Sequence, residues 1–335
     1  PILGSLGVGW LLYFSAGALY VGLSRRKGVF ILLAVAPWLL GVLLSLVVWG
    51  KETQEIKVAL VQANLEQDKK WLVEERNRNL EKHMDLSDEY WGNDLIVWPE
   101  AAITLFGGEA QRAVAMLGEK ALQTKTNFIS GIPTLDPADG SNKNSLIAIG
   151  QGLGTYSKQH LVPFGEYVPF EGLLRGVIGF FDLPMSRMSP GSPRQDNLSI
   201  VIDGEFFEVS PAICYEIAYG ESLRKRSIES SAIITVSNDT WFGRTNGPWQ
   251  HLQIARVRAL ENAKPVIRAT NNGVTAVIDK NGAIVDTLLQ FTSGVLLSEV
   301  SLAEGRTPYS YTGDWPVLFL IFFVFFYALS RSKAE

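Results

Sequence analysis

The sequence predicts an α/β sandwich flanked by membrane-spanning helices, and three observations lead there. Between Ile56 and Leu289, apolar runs of strand length alternate with polar, helix-period stretches. Two long runs without a charge precede that region, and a shorter, aromatic-rich run follows it. A mean hydropathy of +0.13 over 335 residues, unusual for a water-soluble domain alone, is accounted for by those flanks.

The first two runs, residues 2–23 and 28–49, each match the ~20 apolar residues that cross a bilayer core. The third, Trp315 to Ser330, is shorter and would span with interfacial help from Tyr309, Tyr311 and Trp315. Arg25, Arg26 and Lys27 fill the turn between the first two, and Arg331 and Lys333 follow the third. Basic residues stay on the cytoplasmic side, so both clusters are expected there. Residues 50–312, read as one domain between helices at 1–49 and 313–335, then lie on the opposite side, which in a bacterium is the extracytoplasmic face of the inner (cytoplasmic) membrane. No cleavage site follows the first run, which argues against a signal peptide. The chain opens on Pro1, and a preceding segment with further helices is expected.

Within the domain, Ile56–Ala63 reads as a buried strand, Lys69 to Tyr90 as a helix-period stretch and Asp94–Trp98 as a second strand. A helix at Glu109–Gln123 and strands at Phe128–Ile132 and Ser145–Ile149 follow, the last two separated by the turn-rich DPADGSN. Leu198–Ile213 supplies two strands around Asp203-Gly204, then come a helix at Ala218–Ser227, a strand at Ala232–Ser237 and a helix at Trp249–Ala263. Val266–Thr270, Val274–Ile278 and, after the turn Lys280-Asn281-Gly282, Ala283–Leu289 complete the pattern. The stretch Tyr167 to Met188 is apolar but broken by Gly and Pro, and reads as a hydrophobic loop that packs under the domain or lies against lipid as a lid.

The net charge of −4 disfavours a nucleic-acid partner. His83, His160 and His251 lack metal-ligand spacing, no Gly-rich phosphate loop follows a strand, and no GxSxG turn is present, so neither a metal nor another cofactor is expected. A single cysteine, Cys214, has no disulfide partner and is either a buried bystander or a working thiol. Glu100 after DLIVWP, Lys158 in TYSKQH and Cys214 in SPAICYE each stand where a strand should end. Alone, each is ordinary: a cap, a solvated lysine, an inert thiol. Together they supply what acyl transfer through sulfur needs. A free thiol, with a pKa of about 8.5, is mostly protonated at neutral pH. A carboxylate can take that proton, and an ammonium with a backbone N–H can hold the oxyanion formed at the attacked carbonyl.

The strings WPE, KQHLVPFGE and CYE resemble the Glu-Lys-Cys set of the nitrilase superfamily. NKNSLIAIG, AICYEIAYGE, VSNDTWFG, GPWQHLQIARVRALENAKPVIRATNNG and TPYSYTGDWP are similar to the apolipoprotein N-acyltransferase family in particular. The resemblance implies a nitrilase-like α-β-β-α sandwich, with Glu100 as general base, Lys158 as oxyanion stabiliser and Cys214 as nucleophile. It implies Glu166, Tyr215, Glu216, Asn144 and Trp71 as substrate-binding positions. The implied donor is a membrane phospholipid and the implied acceptor a diacylglyceryl-modified apolipoprotein, joined by a ping-pong reaction. A membrane-tethered amidase using the same residues, or a non-catalytic lipoprotein-binding module, are the alternatives.

The charge argument is testable by labelling. Membrane-impermeant thiol reagent applied to intact cells expressing single-cysteine variants should modify an exposed domain position such as Asp203→Cys and spare Arg26→Cys. The reverse pattern would put the domain in the cytoplasm.

Overall fold

The computed structural model describes residues 1–169 and 188–332. Most of the apolar loop expected between Tyr167 and Met188, including Phe170, Leu173, Leu174, Val177, Ile178, Phe180 and Phe181, lies outside the described residues, as does Lys333.

Among the described residues, twelve strands form two six-stranded sheets. The first has the order β12-β1-β2-β3-β4-β5, from Gly294–Glu304, Lys51–Gln62, Leu95–Val97, Asn127–Leu135, Asn142–Gly150 and Gly154–Ser157. The second has the order β11-β10-β9-β8-β7-β6, from Ile284–Leu288, Thr275–Ile278, Val266–Thr270, Ala232–Ser237, Glu205–Ile213 and Leu198–Ile202. In each, three central strands run parallel (β1, β2, β3 and β7, β8, β9) and the outer ones are antiparallel.

Side-chain alternation explains why the strands read as continuous apolar runs. In β1, Ile56, Val58 and Leu60 enter the core shared by the two sheets, with Val236 and Ile267 of the second sheet in the same cluster. Ala59 and Val61 point the other way, into a layer with Leu80 and the helix Gly107–Gln123. The second sheet is covered likewise by the helices Gly220–Ser227 and Gly247–Asn262, through Leu223, Leu252, Ala255 and Ala259. The architecture is therefore the α-β-β-α sandwich that the sequence implies. Each Val, Leu or Ile so enclosed contributes about 1.5–3 kcal/mol relative to exposure.

Three elements differ from the sequence reading. Gly294–Glu304, not anticipated as a strand, pairs along the length of β1, from Lys51 opposite Glu304 to Gln62 opposite Gly294. The polar residues of GVLLSEVSLAE obscure its apolar face. The four-residue β5 is too short to show a period. The stretch expected as one helical run from Lys69 breaks after Gln67–Lys70 and resumes only at Arg76–Ser87. Burial of Lys70, whose Nζ donates to the Glu100 carbonyl at 2.8 Å, holds the break.

The apolar flanks are helical at Gly4–Ser24, Gly28–Leu44 and Trp315–Ser332. By length and composition, Gly4–Ser24 suffices to cross a membrane, whereas Gly28–Leu44 is shorter than its apolar run. The first helix is seated on the sandwich at its N-terminal end: Ser5 N donates to Glu261 Oε1 at 2.7 Å, and Gly4 packs on the Tyr309 ring. The turn Arg25–Lys27 therefore lies one helix length away, roughly 30 Å.

Parallel strands put their C-terminal ends, and the loops after them, at one end of the sandwich. β2 leads there into Trp98-Pro99-Glu100, and this segment crosses β3 at Gly131. A Cβ on Gly131 would stand 2.4 Å from Ala101 N and 2.7 Å from Glu100 Cα, backbone atoms that cannot swing aside. Gly131→Ala should therefore displace Glu100 and cost about 1–3 kcal/mol in overpacking. Thermal unfolding should show the loss. An unchanged melting temperature would mean that the crossing is looser than described.

Candidate active site

Glu100, Lys158 and Glu166 meet in a buried cluster. Lys158 follows β5, and its Nζ lies 2.8 Å from Glu166 Oε2 and 3.4 Å from Glu100 Oε1. Asn144, in β4 beside it, donates both amide hydrogens, to Glu100 Oε1 at 2.8 Å and to Glu166 Oε1 at 2.9 Å. Glu100 Oε2 accepts the Asn238 N–H at 2.8 Å, and Glu166 Oε2 accepts the Val162 N–H at the same distance. Burial opposes the Lys158 ammonium, but Glu100, Cys214 and Glu166 outweigh it and hold its pKa above the ordinary lysine value. Lys70, buried with less anionic company, is pulled down to about 8 by desolvation against the opposing pull of Glu100 and Cys214.

Cys214 ends β7 on a left-handed backbone, φ 53°, and opens the short turn Cys214–Ala218. A non-glycine residue there costs of order 1–3 kcal/mol and is retained where the surroundings over-determine it. Here they do. Glu216 lies wholly buried beneath the turn: one oxygen accepts from Tyr156 OH at 2.8 Å, Gln159 N at 2.7 Å and His160 N at 3.2 Å, and the other from Ile213 N at 2.9 Å. The Glu216 carboxylate thus joins the thiol's turn to the loop that carries Lys158. From the other side His251 Nε2 lies 3.0 Å from the Cys214 carbonyl, while its Nδ1 lies 2.9 Å from Asp239, itself paired with the buried Arg268 at 2.6 Å.

The thiol is half-buried and unpaired. Burial pushes its pKa well up, the Glu100 carboxylate adds to that, and Lys158 opposes. Glu100, a potential acceptor for its proton, lines the same cavity as the thiol. A cavity of 690 Å³ opens over it, lined by Glu100, Lys158, Glu166 and Cys214 and walled by Trp71, Val162, Phe164, Tyr215, Trp241, Phe242 and Ile254. Its lining is mainly apolar, and Phe164, Tyr215, Trp241 and Phe242 are exposed at its edge.

Of the eight residues singled out in the sequence, six line this cavity: Glu100, Lys158, Cys214, Glu166, Tyr215 and Trp71. Asn144 and Glu216 do not; each is a buried scaffold for the residues that do. Sequence reasoning passed over Lys70, Asn238, Asp239, His251 and Arg268. Their polarity inside or beside apolar runs, as in VIRAT and VSNDT, was the available signal.

Residues 57–307 match the carbon-nitrogen hydrolase family model. An apolipoprotein N-acyltransferase of Pseudomonas syringae pv. tomato is 41% identical over 99% of this chain and 68% of its own length. The chain belongs to the apolipoprotein N-acyltransferases, within the carbon-nitrogen hydrolases. The Pseudomonas paraeruginosa apolipoprotein N-acyltransferase is likewise 41% identical, over 95% of this chain and 64% of its own, so the chain spans about two thirds of the length of these relatives. Among solved structures, Saccharomyces cerevisiae Nit3, of the nitrilase superfamily, superposes with a TM-score of 0.54 at 22% identity, covering 75% of this chain and 91% of Nit3. At that identity the likeness is one of fold.

The scaffold makes a prediction separate from chemistry. Glu216→Ala strands four donors, two of them on the buried Tyr156 and Ile213, each hydrogen bond to a charged group being worth about 1.5–3 kcal/mol. The variant should melt roughly 5 °C or more lower, because the turn under the thiol is released. Wild-type melting would remove Glu216 from this role.

Proposed function

We propose that the chain transfers a fatty acyl group from a phospholipid, through a thioester on Cys214, to the N-terminal amine of diacylglyceryl-cysteine on an apolipoprotein. The observation that supports this reading best is the half-buried thiol on the floor of an apolar cavity, with Glu100 and Lys158 beside it. Glu100 takes the thiol proton as sulfur attacks the donor's ester carbonyl. The Lys158 ammonium and the Tyr215 N–H receive the oxyanion. Collapse expels the lysophospholipid alkoxide, which recovers the proton from Glu100 and leaves the thioester. The acceptor's α-amine then attacks the same carbonyl, loses a proton to Glu100, and the thiolate departs and is reprotonated. Trp71 and Glu166 bound the substrate space, and Asn144 and Glu216 hold the groups that react.

Membrane substrates give the flanking helices and the exposed aromatic edge a purpose, since Trp, Tyr and Phe favour the interface between headgroup and acyl chain. We place the helices near residues 1–49 and 313–335 in the bacterial inner membrane and the sandwich on its extracytoplasmic face.

Intact mass after incubation with phospholipid vesicles tests the mechanism. The wild type should gain one acyl group at Cys214, and Cys214→Ala none. Glu100→Gln and Lys158→Met should acylate roughly 10²–10³ times more slowly, the first through loss of the base and the second through loss of one oxyanion donor. An adduct with small amides and none with phospholipid would favour an amidase.

A further inference from the structure

His251 stands behind the thiol's turn with an oxygen at each ring nitrogen. Its Nε2 lies 3.0 Å from the Cys214 carbonyl oxygen and its Nδ1 2.9 Å from Asp239 Oδ1. A carbonyl oxygen can only accept a hydrogen bond, and an ionised carboxylate likewise. Asp239 is held ionised. Burial opposes its charge, but Arg268 and His251 outweigh burial and keep its pKa below the ordinary carboxylate value, and Arg268 Nη2 donates to the other oxygen at 2.6 Å. The fold makes room for this carboxylate at Gly273, where a Cβ would stand 2.3 Å from Oδ2. A neutral imidazole has one donor nitrogen and one acceptor nitrogen, so in this buried setting it would set a lone pair against one of the two oxygens. Imidazolium alone donates to both.

We infer that His251 is held as the imidazolium and serves Cys214 as a positioning residue, fixing its backbone through the carbonyl and setting a second positive charge, besides Lys158, close to the thiol. The inference rests on the proposed thioester reaction, in which the sulfur carries negative charge twice, as it attacks the donor and as it leaves the acceptor. Arg268, Asp239 and His251 then form a cluster of two cations and one anion, a net charge of +1 behind the turn at Cys214. A nearby cation favours thiolate over thiol. Among the described residues, the other charged groups that face the imidazole line the cavity with it: the Lys158 ammonium opposes a second cation, and the Glu100 and Glu166 carboxylates favour one. Charges on the elements packed against its helix are engaged elsewhere. Glu216 accepts from Ile213 and Tyr156, Glu221 pairs with Arg224 and Lys225, and Arg226 donates to Gln159 and Ser222. On the helix itself, Arg258 pairs with Glu261 and Arg256 donates to the Gly282 carbonyl.

The test reads the proton and the sulfur directly, on the full chain in detergent micelles and without a lipid substrate. The chain has three histidines and one cysteine, so nitrogen labelling of histidine yields three imidazoles and alkylation of sulfur is confined to Cys214. By NMR at neutral pH, both ring nitrogens of His251, identified by their loss in His251→Gln, should resonate as N–H. A bare nitrogen at either position would overturn the imidazolium. Iodoacetamide should alkylate Cys214 roughly tenfold more slowly in His251→Gln than in the wild type at neutral pH, because glutamine can still donate to the Cys214 carbonyl but brings no charge. A wild-type rate in that variant would overturn the electrostatic role, since a merely structural bond is retained. Should the variant unfold, its melting curve shows it, and the wild-type resonances, identified by elimination with His83→Gln and His160→Gln, decide the matter alone. Failure of phospholipid to acylate a wild type in which both nitrogens are protonated would overturn the thioester reaction and leave the imidazolium in place.

Discussion

Burying the Lys158 ammonium is the constraint around which the rest of the site is arranged. An isolated charge in such a place would be expelled or neutralised. Two carboxylates compensate this one, Glu100 from the end of β2 and Glu166 from the loop after β5, and Asn144 fixes the distance between them. Each carboxylate needs further donors, which come from the backbone at Asn238 in the opposite sheet and at Val162. The charge balance thus links the two sheets at the end where the site lies.

The same economy appears around the thiol. A left-handed Cys214 is disfavoured in isolation, and its turn persists because Glu216 and His251 hold its backbone from two directions. Behind His251 the Asp239–Arg268 pair is buried within the second sheet and its helix layer. The geometry at the thiol and the stability of the sandwich therefore draw on one set of polar contacts, and substitutions in that set will move both.

Apolar surface is distributed by a different logic. Inside the sandwich it is enclosed on both faces of each sheet, while at the mouth of the cavity aromatic side chains remain exposed. The first flanking helix starts from the sandwich itself, through Ser5 and Glu261, so a membrane holding that helix would lie against the sandwich.

Much of this was readable from the chain. Strand length and apolar runs marked ten of the strands, turn residues such as Asp203-Gly204 marked their ends, and the motifs marked Glu100, Lys158 and Cys214, since each is a local pattern of a few residues. What tertiary structure alone decided is non-local. β12 owes its place to β1, more than 230 residues earlier, and not to a period of its own. Asn144 and Glu216 look like residues that meet a ligand, yet their hydrogen bonds come from loops distant in sequence and turn them into supports. Lys70 interrupts a helix-period stretch because the Glu100 carbonyl needs a donor, and His251, one histidine among three, lies under the thiol only because the helix from Gly247 packs on β9, β10 and the turn at Cys214. Sequence patterns record short-range preferences of backbone and solvent, whereas buried charges choose their partners across the fold.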